Sequence, residues 1–304
     1  MPLRRALLWM SRQSRLRRAA ENTRLFGRVT RRFIAGTRLE DAIAVCRRLR
    51  SESILATLDH LGENVTTAEQ AVASAADAIE AVDRIEREGL PATISIKLTQ
   101  FGLDLSDSLC RDRVTALVAR ARAADTRVEV DMESSAYTDR TLDLVQDLHA
   151  QYGNVRSVIQ AYLYRSEADV TNLNRKGIPV RLCKGAYLEP PDVAYPAKED
   201  VDGNYRRLME RLLREGKDPA LATHDESIIN EAISLVGRLG IAPDRFEFQM
   251  LYGIRRDLQR KLVRQGYRVR LYVPYGSAWY PYFMRRLAER PANILFLLRN
   301  LIKN

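Results

Sequence analysis

The chain has 304 residues, with 49 Lys and Arg against 39 Asp and Glu, a net charge of +10 and 46% hydrophobic residues. This is the composition of an ordinary soluble protein, and it excludes a disordered or membrane-spanning chain. The charge is uneven: residues 1–50 hold fourteen arginines against Glu21, Glu40 and Asp41, a balance of +11, so the remaining 254 residues carry −1. A uniformly basic nucleic-acid-binding body is therefore excluded, and a near-neutral body with a basic N-terminal segment remains.

Residues 3–50 read as helices. Leu3, Leu7, Leu8 and Leu16, then Leu25, Phe26, Val29, Phe33 and Ile34, recur at helical spacing with arginines between them. Gly36–Thr37 marks a break, after which Leu39, Ala42, Ile43, Val45 and Cys46 begin a further helix. The start has only Ala6 to Met10 as an apolar stretch and no small-residue cleavage site, too little for a secretory signal. An Arg-rich, acid-poor start also resembles a transit peptide, but the helical pattern runs on past residue 40. No apolar run approaches the roughly 18 residues that span a bilayer; Ile294 to Leu298 is far too short.

After residue 50 short β-branched runs alternate with amphipathic segments. The runs are SILATLD (53–59), ATISIKLT (92–99), RVEVDME (127–133), SVIQAYL (157–163), PVRLCKG (179–185), ALATHD (220–225), FEFQML (246–251) and RVRLYVPYG (268–276). Between them, Ala71 to Glu88, Arg111 to Ala124, Thr138 to Gln151, Asn204 to Arg214, Ile228 to Leu239 and Leu258 to Gln265 read as helices. Strand and helix repeated eight times over about 250 residues is the pattern of a (βα)8 TIM-type barrel. The expected division is a helical arm over 1–50 and a barrel over 51–304. A doubly wound sheet alternates likewise, but the chain has neither GxGxxG after a strand nor GxxxxGK[ST].

Cys46, Cys110 and Cys183 are odd in number and far apart, and His60, His149 and His224 form no HxH or HExxH pair. Neither a disulfide scaffold nor a zinc site is expected, and a reducing cytosol is the simple reading.

In a barrel enzyme the chemistry gathers where the strands end. Here they end in or near Asp59, Lys97, Asp131 with Glu133, Gln160, Arg181 with Lys184, Thr223 with His224, Gln249 and Tyr272. One such polar group would be unremarkable, but a ring of them around one face is a site. Buried cations need an anionic partner, so the set points to a large polar ligand carrying phosphates or carboxylates. Near the C-terminus, Arg285-Arg286-Leu287-Ala288-Glu289 places a carboxylate within pairing range of two arginines on one helix.

The segments SIKLT (95–99), VDMESS (130–135), VIQAYLYRS (158–166), VRLCKGAYLEP (180–190), ATHD (222–225), FEFQMLYG (246–253) and RLYVPYG followed by YFMRRLAE (270–289) keep their order along the chain. Together they resemble the strand motifs of the flavin-dependent proline dehydrogenase family, from about residue 54 onward. The resemblance implies a distorted (βα)8 barrel holding FAD over the strand ends. Arg181 would lie by the flavin N5 region. Asp131, Met132, Gln160, Lys184, Gly185 and Ala186 would cradle the isoalloxazine and its chain, with Thr223 and His224 near the pyrophosphate and adenosine. Lys97, Arg285 and Arg286 would clamp the substrate carboxylate, with Glu289 orienting the arginines and bordering the cofactor. Tyr187, Leu251 and Tyr272 would shape the slot for a five-membered ring. Where some members have an aromatic residue after KGAY, this chain has Leu188.

The implied reaction is oxidation of L-proline to Δ1-pyrroline-5-carboxylate, the first step of proline catabolism, with electrons passed to a membrane quinone. At this length the chain resembles the single-function form, so a separate pyrroline-5-carboxylate dehydrogenase would take the product. A cytoplasmic protein, peripheral at the inner face of the membrane, is expected, with no metal and no nucleic-acid partner. Two rivals stand beside this reading. One is a Schiff-base aldolase using Lys97 or Lys184, which needs a lysine of depressed pKa. The other is a nucleic-acid-binding protein using residues 1–50. The basic segment itself reads as a solvated helical arm or as a docking face for an anionic membrane.

Overall fold

The computed structural model describes residues 32–62, 65–280 and 282–284. Eight parallel strands close into a barrel in chain order: β1 (Leu55–His60), β2 (Ala92–Ile96), β3 (Val128–Val130), β4 (Val155–Gln160), β5 (Val180–Cys183), β6 (Ala220–Ala222), β7 (Glu247–Leu251) and β8 (Val269–Tyr275). All eight overlap the runs read from the sequence, with β4 beginning two residues before its run and β1 ending one residue past its own. Closure is made by β1 on β8, with Thr57 opposite Tyr272 and Asp59 opposite Pro274.

The described helices are α1 (Leu39–Ser51), α2 (Ala68–Arg87), α3 (Asp107–Ala123), α4 (Thr138–Tyr152), α5 (Ser166–Arg175), α6 (Lys198–Glu215), α7 (Glu226–Leu239) and α8 (Arg256–Arg264). Their starts have ordinary chemical causes. Thr67 and Gln70 form a reciprocal cap on α2, the Ser106 hydroxyl accepts from Leu109 N on α3, and the Asp225 carboxylate accepts from Ser227 N on α7.

Helix α1 falls within the segment expected as a basic arm. Its Ala42, Ile43, Cys46 and Leu49 are buried in the main core, and it packs against β1 and β8. The helix thus covers the seam where the barrel closes and buries its apolar face there. Just before it, Ala35 N donates to Pro274 O at 2.9 Å, and Gly276 N donates to Gly36 O at 3.0 Å. Residues 1–31, most of that segment, lie outside the described residues, as do Arg285, Arg286 and Glu289.

The strands sort their side chains by parity. Val128, Val130, Val180, Leu182, Phe248, Met250, Val269, Leu271 and Val273 join the apolar core beneath the helices. Most alternate positions point into the barrel and are polar: Thr57, Asp59, Thr93, Ser95, Glu129, Arg181, Glu247, Gln249 and Arg270 are all buried, while Val158, Ala220 and Ala222 are apolar at the same register. A barrel interior is ordinarily filled by branched aliphatic residues. This one is filled largely by charged and neutral polar side chains.

Candidate active site

At the carboxyl ends of the strands, five residues from five strands form one bonded cluster. Lys97, the residue after β2, lies 3.0 Å from Asp59 Oδ1, 3.1 Å from Asp131 Oδ2 and 3.1 Å from Tyr272 OH. The Tyr272 hydroxyl donates to Asp131 Oδ2 at 2.7 Å. Arg181 NH1 donates to Asp131 Oδ1 at 2.6 Å and to Ser95 Oγ at 3.2 Å. The Arg181 guanidinium lies 5.4 Å from the centroid of the Tyr272 ring. The strand periodicity builds this: Tyr272, Arg181 and Asp59 are inward positions, and Lys97 and Asp131 continue the inward parity one step beyond their strands.

The electrostatics of the cluster follow from burial against pairing. Burial by itself pulls Lys97 down, but Asp59, Tyr272 and Asp131 outweigh it and hold the ammonium well above the ordinary lysine value. Burial pushes Asp131 up, yet Lys97 and Arg181 hold it below the usual carboxylate range. The Tyr272 phenol is pushed well up by burial and by the neighbouring Asp131 and Asp59. At neutral pH the cluster therefore contains a charged lysine, a charged arginine, ionised Asp131 and a protonated tyrosine. A Schiff-base nucleophile needs the opposite condition at its lysine, so the geometry argues against Lys97 as an aldolase amine.

The remaining candidates stand around this cluster. Gln160, at the end of β4, donates from Nε2 to Glu133 O at 2.7 Å, and Glu133 accepts from Thr99 N and Thr99 Oγ1. Burial raises the Glu133 carboxyl above its ordinary value against those Thr99 hydrogen bonds. Met132 is buried beside it. Across the mouth, Lys184 lies 3.0 Å from Asp225 Oδ2 and 2.5 Å from Asp202 Oδ1, away from the Lys97 cluster. The Thr223 hydroxyl accepts from Asp225 N, and His224 Nε2 accepts from Leu251 N at 2.9 Å. Lys184, Thr223, His224 and Leu251 are thus tied into one rim over β5, β6 and β7.

Gly185 explains why the loop after β5 reads KGAY. Its φ is +107°, and a Cβ there would come within 2.3 Å of the Tyr162 ring. Beyond it Tyr187 and Leu188 are exposed, and the loop is fastened by Glu189, which accepts from Ser135 N at 2.8 Å and Ser135 Oγ at 2.5 Å.

Two expectations change. The buried cations do not stand waiting for an anionic ligand: Lys97 and Arg181 already have carboxylate partners in Asp59, Asp131 and Glu129. And Glu129, Ser95 and Asp59 belong to the cluster, although the resemblance assigned them nothing. The signal for Glu129 and Ser95 was present as single polar residues between apolar ones in V-E-V-D and I-S-I-K, and Asp59 stood among the strand-end residues. What the cluster leaves unsatisfied is small and specific. Arg181 Nε and Asp59 Oδ2 are buried without a hydrogen-bond partner among the described residues. A donor and an acceptor orphaned in the same cluster suit a bound group carrying both functions. Among the described residues no His/Cys/Asp/Glu group could hold a metal, and no helix is long and apolar enough to cross a membrane.

Comparisons with known proteins show the family and the fold. The family described as "Proline dehydrogenase" matches residues 42–299. Proline dehydrogenase 2 of Bacillus subtilis (strain 168) is 41% identical over 272 residues, 90% of this chain and 90% of that protein. Proline dehydrogenase of Deinococcus radiodurans is 41% identical over 277 residues, 90% of this chain and 89% of its own. Among solved structures, proline utilization A from Bdellovibrio bacteriovorus inactivated by N-propargylglycine superposes with a TM-score of 0.79 at 26% identity. That match covers 85% of this chain and 32% of the larger protein, so the barrel corresponds to about a third of it.

Proposed function

The chain belongs to the proline dehydrogenase family, oxidoreductases that act on proline, and from that premise we propose that it oxidises L-proline to Δ1-pyrroline-5-carboxylate with FAD and passes the electrons to a membrane quinone. The observation that carries the reading is the Lys97–Asp131–Arg181–Tyr272 cluster at the barrel's strand ends. FAD, when bound, supplies the acceptor for a hydride leaving the proline ring carbon beside nitrogen.

The residues of the chain do the rest. Lys97, kept charged by its carboxylate partners, anchors the proline carboxylate together with Arg285 and Arg286, and Glu289 orients the two arginines. Tyr272, Tyr187 and Leu251 wall the slot for the ring, so that an ionic anchor at one end and apolar contact at the other fix its orientation. Asp131, Met132, Gln160, Arg181, Lys184, Gly185, Ala186, Thr223, His224 and Glu289 hold the cofactor. Arg181 offers positive charge where reduction adds negative charge, and the orphaned Arg181 Nε is a donor suited to it. No phosphate-binding fingerprint is needed, because Lys184 with the polar groups of the rim takes that part.

The decisive measurement is an absorbance spectrum. The purified protein should be yellow, with a flavin spectrum that bleaches anaerobically when L-proline is added. A colourless preparation that FAD cannot reconstitute would sink the proposal. Docking of the basic N-terminal segment on anionic lipid has its own test. The full chain should sediment with anionic vesicles more strongly than a version lacking residues 1–35; equal binding removes the docking role.

A further inference from the structure

Beneath the strand-end cluster lies a second layer of charge, and Glu129 on β3 is its centre. Its side chain is 0% exposed. Oε2 accepts from Arg181 NH2 and from Gln249 Nε2 at 3.3 Å. Oε1 accepts from Thr93 Oγ1 at 2.8 Å and lies 3.6 Å from Arg156 NH1 and 4.0 Å from Arg270 Nε. Burial pushes the Glu129 carboxyl up, but Arg181, Arg156 and Arg270 together pull it down to about 2. It is an ionised carboxylate in the middle of the barrel.

The consequence falls on Arg181. Asp131 and Ser95 hold NH1 of its guanidinium, and Glu129 holds NH2. A guanidinium pinned through one nitrogen can swing on its stem; pinned through both it cannot, and the direction of its buried Nε–H is then fixed. The charge of the surroundings is fixed as well. Inside the barrel Asp59, Glu129, Asp131 and Glu247 face Lys97, Arg156, Arg181 and Arg270 through direct ion pairs, and Asp218 and Arg268 close the network at Arg156 and Glu247, so every carboxylate has a counter-charge.

We propose that Glu129 is a positioning residue: acting through Arg181, it sets the direction and the net charge of the field that the flavin meets, and with it the flavin's reduction potential. This rests on the reading above, in which a flavin lies against Arg181. The sign follows from the balance. Without the Glu129 carboxylate the interior carries one unit of positive charge in excess of wild type. Reduced flavin carries more negative charge than oxidised flavin, so the surplus favours reduction and the potential moves up. Lys97 bonds to Asp59, Asp131 and Tyr272 and not to Glu129, so the anchoring of proline is left in place.

The test is a spectroelectrochemical titration of the flavin in purified wild-type, Glu129→Gln and Glu129→Asp holoproteins. The Gln variant should show a higher midpoint potential than wild type. The Asp variant, which keeps the charge but withdraws it by one methylene, should show a smaller rise. Any change in turnover should fall on kcat, with the proline KM within about twofold of wild type. If the Gln variant does not fold, the Asp variant carries the test: a raised potential supports the proposal and an unchanged one overturns it. A folded Gln variant of lowered Tm but wild-type potential also overturns it, since Glu129 would then be merely structural. Unshifted variants of a flavin-bearing wild type overturn this inference alone, whereas a wild type that takes no flavin overturns the parent reading and this one together.

Discussion

The two faces of the barrel wall are built from opposite chemistry on the same strands. Outward residues such as Val128, Val130 and Phe248 are fully buried under the helices and hold by apolar contact. Their immediate neighbours Glu129, Asp131 and Glu247 turn inward into ion pairs with Arg156, Arg181, Arg270 and Lys97. The outer layer contributes roughly 25 cal/mol for each Å² of apolar surface it buries, whatever its detailed geometry. The inner layer contributes little net stability, because removing charges from water costs about what pairing them returns. It contributes geometry instead. The lesson is a division of labour across a single strand: stability faces the helices and chemistry faces the axis.

That contrast can be broken at several points. The largest expected effect is Arg181→Ala, which removes the direct cation partner of buried Glu129 and one of the two cation partners of Asp131. It should cost about 3–5 kcal/mol of stability and release the flavin, read by thermal unfolding and by the absorbance of the purified protein. A yellow variant of normal Tm would deny that the inner layer is a coupled unit. Next comes Leu117→Ala in α3, fully buried in the apolar core. It should cost about 2–4 kcal/mol while kcat and KM of the surviving folded enzyme stay at wild type, which separates the layers by kinetics. A smaller effect is expected for Tyr272→Phe, which removes a hydroxyl bonded to both Asp131 and Lys97. Its kcat/KM should fall by an amount equivalent to about 1–2 kcal/mol, with little change in Tm; unaltered kinetics would take the hydroxyl out of the mechanism.

The gentlest probe is pH. Glu129, Glu247 and Asp131 are all held below their ordinary values by cations that outweigh burial. A carboxylate depressed in the folded state stabilises above its unfolded pKa, and that contribution is lost as pH falls toward the folded value. The share of urea stability contributed by these carboxylates should therefore be fully present above about pH 5 and decline below about pH 4, as Glu129 approaches its folded value of about 2. A level profile down to pH 3 would mean these pairs are not maintained in solution.

Much of this was legible in the sequence because the two layers leave a period-two signature. V-E-V-D, I-S-I-K and V-R-L-Y each declare a strand and name which residues face the axis. The closed barrel and the grouping of Lys97, Asp131, Arg181 and Tyr272 follow from that pattern. Partnership did not. Nothing local to Glu129 says that Arg181, 52 residues away, will meet it, because contact across a barrel depends on strand stagger rather than on spacing. Nor could composition show that α1 would leave the basic segment and cover the β1–β8 seam. Helix α5 (Ser166–Arg175) was likewise absent from the expected helices, since it is short, with only Ser166, Val170 and Leu173 buried.

The even balance of the interior also constrains how such a protein can change over generations. A substitution that deletes Arg270 alone leaves Glu247 and Glu129 with one cation fewer in a space that water does not reach. Viable drift must proceed by partners, one cation and one carboxylate lost or exchanged together, or through neutral stand-ins such as glutamine. Gln249, which already donates to both Glu129 and Glu247, shows how a neutral side chain fits among those charges. The core beneath the helices can alter one methyl group at a time, whereas the axis of the barrel evolves in pairs.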